Sequence, residues 1–204
     1  MSSARLEAFS DGVLAIIITI MVLELKIPHG HDLEALRPLL PVLFSYVLSF
    51  IYIGIYWNNH HHLMSVAEHV NGKVLWANIH LLFWLSLIPF ASGWMGENEF
   101  EFWPVILYGI LLMMAGIAYY ILARTLIKLH GENSILAKAI GRDRKGLISL
   151  WIYAAGIASC FIDSRIGLSL YAVVATIWLI PDSRIEKKII EKKEVQDSNI
   201  KSSF

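Results

Sequence analysis

The chain has 204 residues, of which 56% are apolar and only 17% charged, with seven tryptophans and a mean hydropathy of +0.58. A water-soluble domain of this length would carry more charge, so the composition is that of a membrane protein. Formal net charge is zero, which argues against a nucleic-acid partner, and the single Cys160 excludes a disulfide framework or a CxxC metal or redox pair.

A hydrocarbon core about 30 Å thick takes about 20 mostly apolar residues per helix. Six stretches qualify, near 8–25, 37–58, 74–94, 103–124, 147–163 and 166–181. The first carries Arg5, Glu7 and Asp11 near its start and is too long for a cleaved signal peptide, so it is expected to be retained. The last two are short, with the polar turn Ile162-Asp163-Ser164-Arg165 between them, and a single bent segment is the alternative there.

Basic residues near helix ends stay on the cytoplasmic side. With the N-terminus inside, only Lys26, Arg37 and Arg165 of the 17 lysines and arginines fall outside, and the loop "GENEFEF" has none. Both termini are therefore expected in the cytoplasm, with a six-span domain over 1–183 and a basic tail over 184–204. The stretches "RTLIKLHGENSILAKAIGRDRKG" and "RIEKKIIEKKEVQDSNIKSSF" alternate basic and apolar residues. They suit interfacial helices drawn to anionic lipid headgroups.

Enzyme chemistry finds little support. There is no GxSxG, no glycine-rich phosphate loop and no pair of intramembrane carboxylates. Three consecutive histidines in "YWNNHHHLM" suggest a metal, but successive helical side chains diverge by about 100°, so His60, His61 and His62 cannot all reach one ion. A polar cluster bonding to neighbouring helices is the simpler expectation, and no metal or other cofactor is implied. In "YAAGIASC", the pairs Ala154 with Ala158, Ala155 with Ser159, and Gly156 with Cys160 let a neighbouring helix approach closely, as do Gly109 and Gly116.

The first stretch poses the sharpest question, because Ser10 and Asp11 stand against a long apolar run. They could sit at headgroup level or cap the first helical turn. An ionisable residue at a membrane helix also commonly pairs with a partner and marks a functional region. On an ideal helix Gly12, Ile16, Thr19, Ile20 and Leu23 share an arc of roughly 100°, while Asp11 points about 140° away from Ile16. One face suits a narrow, mostly apolar lining and another suits polar contact with neighbouring helices.

Arg5, Phe9, Ser10 and Asp11 form an RxxxFSD pattern that resembles the signature of the transmembrane protein 175 family, cation channels whose animal member is a lysosomal potassium channel. "YWNNHH" in the second span also resembles that family. The pattern occurs once, as in the bacterial form, which assembles as a homotetramer. The resemblance implies an all-α multi-pass protein of the bacterial inner membrane, with the first helix lining a pore at the tetramer axis. Its partners would be potassium, other monovalent cations and the lipid bilayer. Ile16 matches the hydrophobic constriction position, Thr19 a pore-facing hydroxyl, and Ile20 and Leu23 further apolar lining. Arg5, Phe9, Ser10, Asp11, Trp57, His60 and His61 would form a polar network behind the pore helix. Arg5 lies close to the Ile16 face on the ideal wheel, so it must fold onto Asp11 or Ser10, or the helix start must be irregular.

No TVGYG-like carbonyl filter occurs in the chain. Selectivity at Ile16 and Thr19 would come from partial dehydration and hydroxyl contact, giving modest preference for potassium over sodium in passive conduction. The alternatives are a proton-conducting channel and a secondary transporter. Against the transporter, the first span has no visible repeat, and Pro89 is the only proline well inside a span.

Overall fold

The computed structural model describes residues 3–132, 134, 136, 137 and 144–179. The expected tail over 184–204 lies outside the described residues, as does Lys138 of the connection before it. Seven α-helices are described: α1 (Ser3–Met21), α2 (Leu40–Ser65), α3 (Gly72–Ser86), α4 (Ile88–Glu97), α5 (Phe102–His130), α6 (Arg144–Ser159) and α7 (Ser164–Leu179). Four segments are long and apolar enough to cross a membrane: Ser3–Glu24, Leu33–Ser65, Gly72–Glu97 and Phe102–His130. The last two helices are apolar but shorter.

Helix ends follow local chemistry. Asn71 Oδ1 accepts the Val74 amide at 3.1 Å and starts α3, while Asp32 accepts the Ala35 amide at 3.2 Å ahead of the 3-10 stretch leading into α2. At the end of α5, Gly131 adopts φ +91°, a conformation that L side chains rarely take. Asp163 Oδ1 accepts the Arg165 amide at 2.8 Å and closes the turn between α6 and α7.

Several helices outrun the hydropathy. The first begins at Ser3, the second reaches Ser65 and the fifth reaches His130. The third span, read from sequence as one stretch over 74–94, is two helices that meet at Leu87. Pro89 explains the break, since it brings no amide hydrogen and its ring crowds the carbonyl four residues back.

The helices α1, α2 and α4 pack together, α3 lies along α5, and α6 and α7 form a hairpin against α5. The centre is rich in tyrosine. Tyr52, Tyr108 and Tyr171 are fully buried, and the Tyr52 hydroxyl donates to the Tyr171 carbonyl at 2.5 Å. Tyr171 fits because Gly109 and Gly156 flank it; a Cβ on either would lie within 2.5 Å of its ring or hydroxyl. Among the described residues, the Gly156 and Cys160 row of the small-residue stripe is buried, whereas Ala154, Ala155 and Ala158 are exposed.

Candidate functional site

Two faces of α1 have opposite characters. Leu6, Ser10, Leu14, Ile17 and Met21 are buried at helical spacing against α2, α3 and α4. On the other face Phe9, Ile16 and Ile20 are 55%, 57% and 44% exposed, and Gly12 and Thr19 are exposed with them; Leu23, in the 3-10 turn Val22–Glu24 that continues α1, is 76% exposed. The Thr19 hydroxyl folds back onto its own helix, within 3.0 Å of the Ala15 carbonyl and 2.9 Å of the Ile16 carbonyl. Val13, between the two faces, is half-buried against the core.

Polar groups hold the buried side. Asn78 on α3 donates its Nδ2 hydrogen to Ser10 Oγ at 2.9 Å, and Ser10 donates to the Leu6 carbonyl at 2.9 Å. Asn78 Oδ1 lies 2.8 Å from His60 Nε2. An amide oxygen only accepts, so Nε2 carries the hydrogen. Ser10, Asn78 and His60 are all essentially inaccessible. A relay of three buried polar side chains thus joins α1, α3 and α2. His60 Nδ1 is buried with no partner among the described residues.

A second, more exposed set lies beside it. Trp57 Nε1 donates to Asp11 Oδ1 at 3.0 Å, and His61 Nδ1 meets Glu7 Oε1 at 2.7 Å. The Trp57 and His61 rings stack with centroids 6.2 Å apart. The consecutive histidines therefore diverge, His60 inward to Asn78 and His61 to Glu7. No group of three metal-ligating side chains occurs among the described residues.

Arg5 and Phe9 stand apart from both sets. Phe9 is on the exposed face, and Arg5 is exposed with no side-chain hydrogen bond or ion pair among the described residues. Arg5 thus folds onto neither Asp11 nor Ser10, whose side chains are engaged elsewhere. Sequence reasoning missed Asn78 and Glu7 as partners. The signal was available for Asn78, because an amide inside an apolar helix is costly unless it is bonded.

At the other end of α1, Lys26 pairs with Glu97 at the end of α4. Nearby, Glu24 lies so close to Gly93 that a Cβ there would meet its carboxylate at 2.9 Å.

A profile of the endosomal/lysosomal potassium channel TMEM175 matches residues 5–89. A Chryseobacterium protein named as a potassium channel is 56% identical over 94% of this chain and the whole of that protein. The chain belongs to the TMEM175 family. A crystal structure of a lysosomal potassium-selective channel TMEM175 homolog from Chamaesiphon minutus superposes with a TM-score of 0.75 at 26% identity, covering 87% of this chain and 96% of that one. The mouse endosomal/lysosomal proton channel TMEM175 is 30% identical over 88% of this chain and 38% of its own length. TMEM175 relatives thus carry two names, potassium channel in bacteria and proton channel in the mouse.

Proposed function

We propose that this protein is a potassium-permeable cation channel, not an enzyme, in which α1 from four identical subunits surrounds a central pore. The observation that carries this reading is the two-faced α1: one side is fixed by buried packing and the Ser10–Asn78–His60 relay, and the other leaves Ile16, Thr19, Ile20 and Leu23 exposed. A single such face cannot enclose a pore, and closed cyclic symmetry is the usual solution for identical subunits. In this reading Ile16, Ile20 and Leu23 form the constriction. Ile16 and Thr19 set a modest preference for potassium over sodium by partial dehydration and hydroxyl contact. Conduction is passive and uses no cofactor beyond the permeant ion.

The same reading completes the membrane arrangement. The α6 and α7 hairpin supplies two further spans, giving six, with both termini cytoplasmic and the domain embedded in a bacterial inner membrane. Each of these helices has 16 residues, a rise of about 24 Å, so they cross only where the bilayer thins or where flanking residues snorkel.

Proton permeation through the same pore is the second reading, favoured by the name of the mouse relative. Reconstituted liposomes separate the readings. At fixed cytoplasmic-face pH, a potassium gradient should drive flux that is limited by membrane potential and insensitive to a proton gradient imposed from the other side. Flux that depends on the proton gradient at fixed cytoplasmic-face pH would point to coupled transport, and proton current without potassium flux would replace the potassium reading with the proton one.

A further inference from the structure

We propose that His130 is a positioning residue for α1, clipping the α2–α3 connection in place only while its imidazole is neutral. The effect on conduction rests on the channel reading above; the contact itself does not.

His130 ends α5, and its two ring nitrogens have different partners. Nδ1 lies 3.0 Å from the Leu126 carbonyl. A carbonyl only accepts, so Nδ1 carries a hydrogen. Nε2 lies 3.1 Å from the Glu68 amide nitrogen, with the His69 amide at a longer 3.5 Å. Amides only donate, so Nε2 presents a lone pair. Together these contacts assign one tautomer and one charge state. Protonation at Nε2 would set N–H against N–H and remove the acceptor that both amides share.

The clipped segment is a joint between two arms. It is seated by buried Val66, Ala67 and Val70 and runs into the Asn71 cap of α3. Before it, α2 carries Trp57, His60 and His61; after it, α3 carries Asn78. These side chains hold α1 through Asp11, Glu7 and Ser10. Releasing the joint loosens both holds on α1 without touching its exposed face.

Among the described residues, the titratable and charged groups nearest the joint along the chain are Glu68 and His69 on the connection, His62 in the last turn of α2 and Lys73 at the start of α3; His60 and His61 lie further back on α2 and His80 further along α3. Lys128 and Glu132 flank His130 itself. The His69 ring is closest, its centroid 4.7 Å from that of His130, so a charge on both rings would add repulsion.

Hydrogen exchange of the 66–71 segment in the full-length protein, corrected for intrinsic exchange chemistry and compared between about pH 8 and pH 5, tests the contact. Potassium flux through liposomes at matched cytoplasmic-face pH tests the consequence. In the unaltered protein, protection of the Glu68 amide should fall about fivefold or more on acidification, the equivalent of one ordinary hydrogen bond, and flux should change with it. His130→Gln retains an acceptor that does not titrate and should flatten both profiles. His130→Ala should leave the Glu68 amide with the low protection of the acidified protein at every pH, and His69→Gln should keep the pH step. Equal protection at both ends of the range would overturn the proposal. So would loss of the step in His69→Gln, or a flux profile shared by the unaltered protein and His130→Gln. The expected exchange pattern with no flux in any variant supports the His130 contact and sinks the channel reading, so the two failures are distinguishable.

Discussion

Trp57 on α2 donates its indole hydrogen to the Asp11 carboxylate on α1 at 3.0 Å. The contact fixes how α1 is turned about its own axis, because Asp11 lies on the side of the helix away from Ile16. An aspartate beside an apolar run therefore acts as an orienting group.

Replacing Trp57 with Phe removes that donor. Trp57 is 46% exposed, so the loss belongs with ordinary hydrogen bonds, about 1 kcal/mol, and below the range for buried bonds to charged groups. Thermal unfolding in mild detergent should report it. In the Trp57→Phe background a further Asp11→Val change should cost less than it does alone, and fully additive costs would show that the two side chains do not act as a pair.

Asn78 should matter more, since it serves two buried partners. Asn78→Leu strands the His60 Nε2 hydrogen, at about 1–3 kcal/mol for an unsatisfied buried group, and takes the donor from Ser10 Oγ, which keeps its bond to the Leu6 carbonyl. His60→Ala in the Asn78→Leu background should cost less than His60→Ala alone in the same unfolding assay, the cavity left by the ring being common to both. Fully additive costs would mean that His60 is held by something other than Asn78.

Substitutions on the exposed face separate lining from packing. Ile16→Asn should raise cation current and weaken selectivity by offering polar groups where an ion otherwise meets only methyls. Thr19→Val should lower potassium-over-sodium discrimination with assembly intact. Val13→Asn, half-buried against the core, is the control and should harm folding more than selectivity. Stable tetramers of both Ile16→Asn and Thr19→Val with unaltered conductance and reversal potential would remove this face from the pore.

The α6–α7 hairpin makes a packing prediction. A Cβ on Gly167 would lie 2.3 Å from Cys160 Sγ and 2.7 Å from the Gly156 carbonyl oxygen, a backbone atom that cannot swing aside. Gly167→Ala should cost about 1–3 kcal/mol. Gly54→Ala, which meets nothing within 4 Å, should stay within about 1 kcal/mol of the unaltered protein. Similar unfolding midpoints for the two variants would contradict this packing.

Lys26 gives the pH prediction. Its hydrogen bond to Glu97, with the Glu97 charge, raises the lysine above its ordinary value. A raised basic group stabilises the fold fully below the unfolded value and loses that contribution as pH rises through the folded one. The stability difference between the unaltered protein and Lys26→Met should be small, constant through neutral pH, and fade in strong alkali. A difference that disappears on mild acidification would assign it to another group.

Much of the α1 geometry was legible in sequence because it is local: the angle between Asp11 and Ile16 follows from helical spacing alone. Pro89 likewise marked an irregularity in the third span. Asn78 was not legible as a partner, because the residue it bonds, Ser10, is 68 positions away and only tertiary packing joins them. Helix ends were under-read for a physical reason: the polar His60–Ser65 end of α2 leaves the apolar window, yet its hydrogen bonds keep it helical. Tyr171 between Gly109 and Gly156 was half-visible, the glycines as signs of close approach and the ring that fills the gap not at all.

The Thr19 hydroxyl carries a consequence for electrical sign. Its hydrogen points back to the Ala15 and Ile16 carbonyls, so the side of the oxygen turned outward offers lone pairs and no proton. The exposed stripe of α1 therefore presents the negative end of a fixed dipole among hydrocarbon groups. If this face lines the proposed pore, a cation passing Thr19 would meet an acceptor already oriented toward it, whereas a chloride would meet the same dipole from its repulsive end.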